Sequence, residues 1–225
     1  MKQLLRIASV LAVATLATGC AKTIPLNMAV EVVAEPGTAD VTYKGKQLGA
    51  TPANVDVKTF DDLSAIMAKQ GDLEVVERRV RILSPDKAQL IFRMGKGQES
   101  AVAKKLGLTK VLVFDYAEKV SFDSGKAELK QDALPILAKQ AEILNQYFPN
   151  AVVNVCGHTD STGGDDFNLK LSLDRAEQVA AFLEKQNVAK SRMKIHGFGK
   201  DYPVDSNTTP QGRGLNRRTE IVLPQ

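Results

Sequence analysis

VVNVCGHTDSTGGDDFNLKLSLDRAEQV, residues 152–179, predicts a strand, a turn and a helix in immediate succession. The β-branched run at its start indicates a short strand that ends at Gly157, and an apolar pattern of helical period begins near Phe167. Asp165 and Asp166 place negative charge where the N-terminus of a helix is electropositive. The polar residues between strand and helix therefore lie on an ordered turn.

The predicted helix carries one apolar stripe, whose members fall three or four residues apart: Leu169, Leu173, Ala176, Ala180 and Leu183. Asn168 and Arg175 lie away from the centre of this stripe. Because Arg175 is outside the predicted core contact, its long side chain could reach back toward the turn.

The rest of the C-terminal half repeats the alternation of strand and helix. A strand begins near Val120, a long helix follows an N-cap at Asp132, and two later strands are predicted at residues 193–196 and 219–223. Such alternation predicts the α+β class, with a mixed sheet that has helices packed on one face.

Four sequence motifs occur in order in this half: GHTDSTG, NLKLSLDRAEQV, HGFG and GRGLNRRTEI. Together they resemble the C-terminal peptidoglycan-binding domain of the OmpA and peptidoglycan-associated lipoprotein family. The resemblance covers residues 117–225, about half the chain. It implies an OmpA-like fold and non-covalent binding of peptidoglycan.

The first residues are typical of a secretory signal peptide. Lys2 and Arg6 precede an apolar run that is too short to span a membrane, and residues 1–19 end in small residues before Cys20. The ending LATGC resembles the lipobox of bacterial lipoproteins, although Ala17 stands where leucine is usual. Since no aspartate follows the cysteine, the resemblance implies a lipid-anchored protein of the outer membrane that faces the periplasm. An ordinary secreted protein that is cleaved nearby is the alternative.

The composition is ordinary for a soluble globular protein, with 44% hydrophobic and 25% charged residues in a chain of 225. The formal net charge is +4, and it falls to +2 without the two cations of the signal peptide. So small an excess of positive charge argues against a nucleic-acid partner. The length allows two modest domains.

The N-terminal half is predicted to be rich in strands. Residues 20–28 are predicted to form a lipidated linker, and residues 29–116 a smaller β-rich domain with turns at residues 36–37 and 84–87. Its Gly and Pro punctuation resembles a PEGA-type surface module. Residues 117–225 then form the C-terminal domain.

The resemblance implies that Asp160 and Arg175 hold the meso-diaminopimelate of the peptidoglycan stem peptide. The free end of this ligand carries an ammonium and a carboxylate on one carbon. Asp160 can accept hydrogen bonds from the ammonium, and the guanidinium of Arg175 can pair with the carboxylate through two parallel hydrogen bonds. Without the resemblance, a structural bridge between the two side chains is the alternative interpretation.

Three further residues match family positions at the pocket: Asn168, Arg217 and Asp123. Arg217 lies in the run NRR before the last strand, and such a run is equally consistent with a solvated basic edge. Asp123 is followed by Ser124-Gly125, where relatives often have asparagine, so backbone groups are expected to take over any contact there.

The remaining polar residues show no pattern that is typical of a metal or catalytic site. His158, His196 and Cys156 lack the ligand spacing that is typical of zinc sites, and Ser161 and Ser172 lie in no nucleophile-elbow pattern. The sequence therefore predicts no metal, no cofactor and no enzymatic activity. A cell-wall hydrolase is the enzyme alternative.

These observations indicate an outer-membrane lipoprotein that binds peptidoglycan non-covalently and tethers the membrane to the wall. The alternative is a wall-anchored component of a larger envelope complex, either flagellar, secretory or signalling. In that case the N-terminal domain would contact a protein partner.

Overall fold

A computed structural model describes residues 23–96, 100–117, 122 and 125–225. Several predicted features lie outside the described residues: the signal peptide at 1–19, Cys20, the strand start at Val120, Asp123 and Ser124.

The described residues form strands and helices in the following order. The strands are β1 Pro25–Glu35, β2 Asp40–Tyr43, β3 Lys46–Ala50, β4 Ala53–Thr59, β5 Ile66–Lys69, β6 Glu74–Ser84, β7 Lys87–Gly95, β8 Val111–Ala117, β9 Val153–Gly157, β10 Met193–Gly197 and β11 Arg218–Pro224. The helices are α1 Phe60–Ser64, α2 Ala101–Leu106, α3 Ala133–Tyr147, α4 Asp165–Lys185 and α5 Pro210–Asn216, with a 3₁₀ turn at Lys190–Arg192.

An eight-stranded mixed sheet runs through both halves of the chain, in the order β10-β9-β11-β8-β6-β7-β1-β4. A separate three-stranded sheet has the order β3-β2-β5. The turn predicted at residues 84–87 joins the antiparallel pair β6 and β7, as expected. The predicted fold class, α+β with a large mixed sheet and a smaller β-rich N-terminal part, is confirmed.

Strand β8 pairs on both sides of the predicted domain boundary. It runs parallel to β6, with Arg79 opposite Val113, and antiparallel to β11, with Phe114 opposite Ile221. The division at residue 116 stays a prediction. The eight-stranded sheet is continuous across this predicted boundary.

The linker predicted at residues 20–28 ends earlier than expected. Pro25 already pairs with Thr59 of β4, and Ile24, Leu26 and Met28 are buried. The reason is that the two-residue apolar period of β1 continues back to Ile24, so these residues belong to the core.

The large apolar core lies between the sheet and the two long helices, α3 and α4. Leu112 and Phe114 of β8 face this core together with Leu137 and Leu144 of α3. The prediction of helices on one face is correct for these two helices. The short helix α2 covers the opposite face, where Val102 packs in a smaller apolar cluster.

The same opposite face carries a buried ionic cluster of five side chains, each at most 3% exposed: Glu77, Arg79, Asp115, Arg218 and Glu220. Arg79 Nη1 lies 2.6 Å from Glu220 Oε1 and 3.0 Å from Asp115 Oδ2, and its Nε lies 2.7 Å from Glu77 Oε1. Arg218 Nε lies 2.7 Å from the same oxygen of Glu220. The cluster therefore joins strands β6, β8 and β11 across the predicted boundary.

The apolar stripe of α4 is only partly buried, in contrast to the prediction. Leu169 and Leu173 are 52% and 38% exposed, whereas Ser172 and Arg175 are buried. The buried face is thus rotated by about one residue at the start of the helix. The cause is the close approach of α4 to the sheet at Gly157, where the neighbouring helix residue is Ser172.

Candidate functional site

The predicted site residues gather at one edge of the sheet. Parallel strands β9 and β10 end there, at Gly157 and Gly197, and antiparallel β11 begins there at Arg218. Strand β8 ends at the same edge, since Ala117 pairs with Arg218. The topology therefore brings the GHTD turn next to the loop after β10 and the start of β11.

The GHTD turn is held by hydrogen bonds to both neighbouring segments. His158 N donates to Arg218 O at 2.9 Å, and Thr159 N donates to Gly199 O at 2.8 Å. Farther along the turn, Ser161 N donates to the side chain of Asn207 at 3.1 Å. These bonds fix the backbone on both sides of the Asp160 side chain.

Asp160 is the acidic residue of the site, and both its oxygens are bonded. Oδ1 accepts from Thr162 N at 2.8 Å, and Oδ2 accepts from Arg217 Nη1 at 2.7 Å. Burial alone would raise the pKa of Asp160, but the hydrogen bonds from Arg217 and Thr162 outweigh it and hold the pKa below its usual value. The side chain is therefore an anion at neutral pH.

Arg217 pairs with Asp160, a contact that the sequence did not predict. Its side chain is 30% exposed, against 9% for Asp160, so the guanidinium forms the solvent side of the pair. The neighbours of Arg217 in the NRR run have other roles. Asn216 accepts hydrogen bonds from Val204 N and Asp205 N, and Arg218 belongs to the buried ionic cluster. The run is therefore not a solvated basic edge.

Arg175 lies deeper than predicted, at 1% exposure. Its Nε donates to Lys126 O at 2.9 Å, and its guanidinium carbon lies 5.1 Å from the ring centroid of Phe122. Within the part of the chain that the structure describes, no ion pair joins Arg175 to Asp160. The interpretation as a direct Asp160–Arg175 bridge is wrong, because Arg217 takes that place.

Asn168 is buried and fastens the turn to the helix. Its Nδ2 donates to Thr162 O at 2.9 Å. It lies seven residues before Arg175 on α4, which is roughly 10 Å along a helix. Asn168 thus positions the turn that carries Asp160, which explains its place in the motif.

The glycines of GHTD and HGFG permit the close approach of α4. A Cβ at Gly157 would lie 1.8 Å from Ser172 O, and one at Gly197 would lie 2.8 Å from the backbone N of Leu173. No larger residue fits at Gly157 without moving the helix. Ser172 Oγ in turn accepts from Gly199 N at 2.9 Å, which ties the loop after β10 to the helix.

The histidines and the cysteine do not form a metal site. His158 is fully buried, and burial together with the nearby Arg218 lowers its pKa to about 4, so it is neutral at neutral pH. Burial raises the pKa of the Cys156 thiol. Across the described ranges, no group of three or more His, Cys, Asp or Glu side chains could hold a metal ion.

The C-terminal half of the chain is similar to known proteins. Residues 121–217 match the OmpA family, so the C-terminal region contains an OmpA family domain. "Probable lipoprotein YiaD" of Escherichia coli is 43% identical over 112 residues, which are 50% of this chain and 51% of that protein. The peptidoglycan-binding protein ArfA of Mycobacterium tuberculosis is 37% identical over 105 residues, 44% of this chain and 32% of that protein.

Among solved structures, the peptidoglycan-associated lipoprotein of Burkholderia pseudomallei is similar at 28% identity and a TM-score of 0.43. The match covers 46% of this chain and 87% of that one. The chain thus spans about half the length of YiaD and about a third of ArfA. YiaD is named as a probable lipoprotein and ArfA as a peptidoglycan-binding protein; neither is named as an enzyme, which agrees with the prediction of a non-enzymatic protein. No helix in the described part of the chain is long and apolar enough to cross a membrane.

Proposed function

We propose that this protein is an outer-membrane lipoprotein that binds peptidoglycan non-covalently through meso-diaminopimelate and so tethers the outer membrane to the wall. The OmpA family domain at residues 121–217 supports the wall-binding part. ArfA is named as a peptidoglycan-binding protein, which supports the same part, and YiaD is named as a probable lipoprotein, which supports the anchor. The lipid anchor rests on the sequence around Cys20.

The observation that carries the proposal is the Asp160–Arg217 pair at the loop edge of the sheet. Its oxygen and nitrogen lie 2.7 Å apart, and the guanidinium is partly exposed. An anion and a cation held this close complement a ligand that bears an ammonium and a carboxylate on one carbon. The ligand ammonium would bind Asp160, and its carboxylate would bind a guanidinium.

Arg175 is our proposed partner of the ligand carboxylate, and Arg217, which pairs with Asp160, is a second cation of the proposed site. Arg175 Nε donates to Lys126 O, and this bond holds the guanidinium in position. Asn168 holds the turn in place through Thr162. Asp123 lies outside the described residues, and its contribution stays part of the proposal.

The test of Asp160 is the substitution Asp160→Asn, assayed by co-sedimentation with purified sacculi. Asparagine keeps the acceptor for Thr162 N but removes the charge, so the ligand ammonium is left desolvated and unpaired. We expect a cost of about 2 to 5 kcal/mol, which corresponds to a loss of affinity of roughly thirtyfold to several thousandfold. The thermal midpoint should change little, since the lost pair with Arg217 is partly exposed.

Asp165→Asn is the matched control, because it removes the same charge from an exposed carboxylate. Asp165 lies at the start of α4, and its Oδ1 lies 2.5 Å from Lys200 Nζ. It should leave sedimentation unchanged. Equal losses in both variants would show that general charge, and not the Asp160 site, governs wall binding.

Arg175 needs a different test, because its burial means that Arg175→Ala would also disturb the fold. Peptidoglycan with lysine in place of diaminopimelate lacks the second carboxylate. We therefore expect weaker sedimentation with lysine-type sacculi. Equal binding to both wall types would rule out the role of Arg175.

The lipid anchor is tested separately by Cys20→Ala. Each buried CH₂ of an acyl chain contributes about 0.8 kcal/mol, so several chains hold a protein on the membrane. We expect the wild type in the detergent-soluble outer-membrane fraction and the variant in a soluble or unprocessed form. A wild type that is released without detergent would contradict the anchor.

A wall-anchored component of a larger envelope complex is the second candidate. The observation that favours it is the continuous sheet, because β8 fixes the N-terminal strands relative to the wall-binding edge. Such a body can present residues 23–96 to a partner in one orientation. Cross-linking in intact cells, compared between wild type and a variant without residues 40–50, would distinguish this from simple tethering.

A further inference from the structure

The residues on either side of Asp160 both donate their backbone N–H groups to the loop that connects β10 to α5. Thr159 N donates to Gly199 O at 2.8 Å, and Ser161 N donates to Asn207 Oδ1 at 3.1 Å. The first acceptor belongs to the backbone, whereas the second belongs to a side chain. The contact to Ser161 therefore depends on which residue stands at position 207.

Asn216 holds the same oxygen of Asn207. Asn216 is fully buried, and its Nδ2 donates to Asn207 Oδ1 at 2.9 Å. Its amide also binds the loop backbone, since Oδ1 accepts from Val204 N at 2.8 Å and from Asp205 N at 3.0 Å. Because two N–H donors point at one atom of Asn207, the hydrogen bonds themselves identify that atom as the oxygen. The side chain of Asn207 is therefore held in one orientation.

Helix α5 fixes the backbone of this loop. Arg213 Nη1 donates to Asn207 O at 2.9 Å. The loop also packs closely on the helix, because a Cβ at Gly212 would lie 2.0 Å from Ser206 O. Asn207 is therefore attached to α5 through its main chain and through its side chain.

These contacts close a ring that contains both members of the Asp160–Arg217 pair. Arg217 Nη1 donates directly to Asp160 Oδ2 at 2.7 Å. Arg217 also follows Asn216 in the chain, Asn216 bonds Asn207, and Asn207 bonds the residue after Asp160. The two charges are thus connected twice, once directly and once through Asn207. A ligand ammonium at Asp160 would compete with the direct contact, whereas the connection through Asn207 would stay in place.

We propose that Asn207 is a positioning residue of the wall-binding site. It keeps Asp160 and Arg217 at a spacing that suits an ammonium and a carboxylate on one carbon while the ligand replaces their direct contact. Asn207 acts through Ser161, and it does not itself need to touch the ligand. It strengthens binding because a site that is already held in its bound geometry loses less conformational freedom. This inference rests on the proposed binding of diaminopimelate at Asp160.

The test compares two soluble muropeptides, one with meso-diaminopimelate and one with lysine, by isothermal titration of the full chain. Asn207→Ala removes the acceptor of Ser161 N. Its affinity for the diaminopimelate muropeptide should fall roughly threefold to tenfold, as expected for one lost hydrogen bond. The loss for the lysine muropeptide should be smaller, because that ligand lacks the second carboxylate and depends less on the spacing of two charges. Equal losses for both ligands would indicate a merely structural role and overturn the proposal.

Asn207→Asp is the rescue variant, because a carboxylate keeps an acceptor for both Ser161 N and Asn216 Nδ2. At about 0.5 M salt, where the screening length is only about 4 Å, the added charge is screened and the affinity should match that of the wild type. Failure of this rescue would also overturn the proposal.

Asn145→Ala is the matched control. Its Nδ2 donates to Gln186 O at 3.2 Å, at the C-terminal end of α4, so its loss should leave the affinity unchanged. A wild type that binds neither muropeptide would refute the proposed function and this inference with it. A wild type that binds, together with an Asn207→Ala variant of unchanged affinity, would overturn this inference alone.

Discussion

Glu220→Gln should destabilise the protein far more than an exposed glutamate substitution, because Glu220 is the centre of the buried ionic cluster. One oxygen of Glu220 accepts from Arg79 at 2.6 Å and from Arg218 at 2.7 Å, and the side chain is 0% exposed. Burial alone would raise the pKa of Glu220, but the two arginines hold it well below its usual value. The carboxylate is therefore charged in the native state.

The magnitude follows from what the substitution leaves behind. Glutamine keeps an acceptor oxygen but removes the charge, so the two buried arginines lose their shared counterion. Removing one partner of a buried ion pair costs about 3 to 5 kcal/mol. The lower end applies here, since the new amide can donate to neutral His158, whose Nε2 lies 3.6 Å from Glu220 Oε2. This is a large part of a typical unfolding free energy of about 5 to 15 kcal/mol.

The assay is urea unfolding followed by circular dichroism, because guanidinium chloride would itself screen the charges. For an m value of about 2 to 3 kcal/mol/M, the midpoint should fall by roughly 1 to 2 M. Glu35→Gln is the matched control. Its carboxylate is 50% exposed and lies 3.0 Å from Arg93, so its loss should cost less than about 1 kcal/mol.

Acid supplies a second check on the same variant. A carboxylate whose pKa is lowered in the folded state contributes stability that is complete above its unfolded pKa of 4.5 and is lost as the pH falls toward the folded value. The difference in unfolding free energy between wild type and Glu220→Gln should therefore become smaller below pH 4.5. A difference that stays constant from neutral to acid pH, or a loss no larger than that of Glu35→Gln, would refute the reasoning.

Three further outcomes are expected. Gly157→Ala should lower the thermal midpoint by several degrees and weaken sacculus binding, since its Cβ would lie 1.8 Å from Ser172 O; unchanged melting would show that α4 can retreat at no cost. Asp62→Ala should lower the free energy of unfolding by roughly 1 kcal/mol, because the capping box with Thr59 is lost. Since the pKa of Asp62 is lowered to about 2 in the folded protein, this loss should be present at neutral pH and become smaller below pH 3.8. A fragment of residues 29–116 lacks β11 and Glu220, so its dichroism melt should be broad where that of the whole chain is cooperative.

Local patterns in the sequence predicted the local structure of the site. The β-branched run before Gly157 and the acidic pair at the helix start give β9, the turn and α4 within two residues of the expected bounds. The hairpin of β6 and β7 followed in the same way from its turn residues. Each of these signals lies within a few residues of the structure that it specifies, which is why one sequence is enough to read it.

Contacts between distant segments could not be predicted in this way. Asp160 and Arg217 are 57 residues apart, and their pairing depends on the register of β11 against β9. The polar residues of β6 resemble a solvated strand face in sequence. They are buried because α2 and the chain around Phe198 pack on that face. The sequence of β6 itself contains no signal for this packing.

The burial of this ionic cluster bears on how the proposed tether would work. Charges that are paired across β6, β8 and β11 lose much of their stabilisation if the strands separate, so the sheet resists opening between its two halves. If Cys20 carries the lipid, the chain from Cys20 to Pro25 of β1 spans at most about 18 Å. The separation between the membrane and the Asp160 edge would then be set mainly by the folded body and only slightly by these few residues. A tether of this kind holds the wall at a fixed distance, whereas a long linker would only limit the maximum distance.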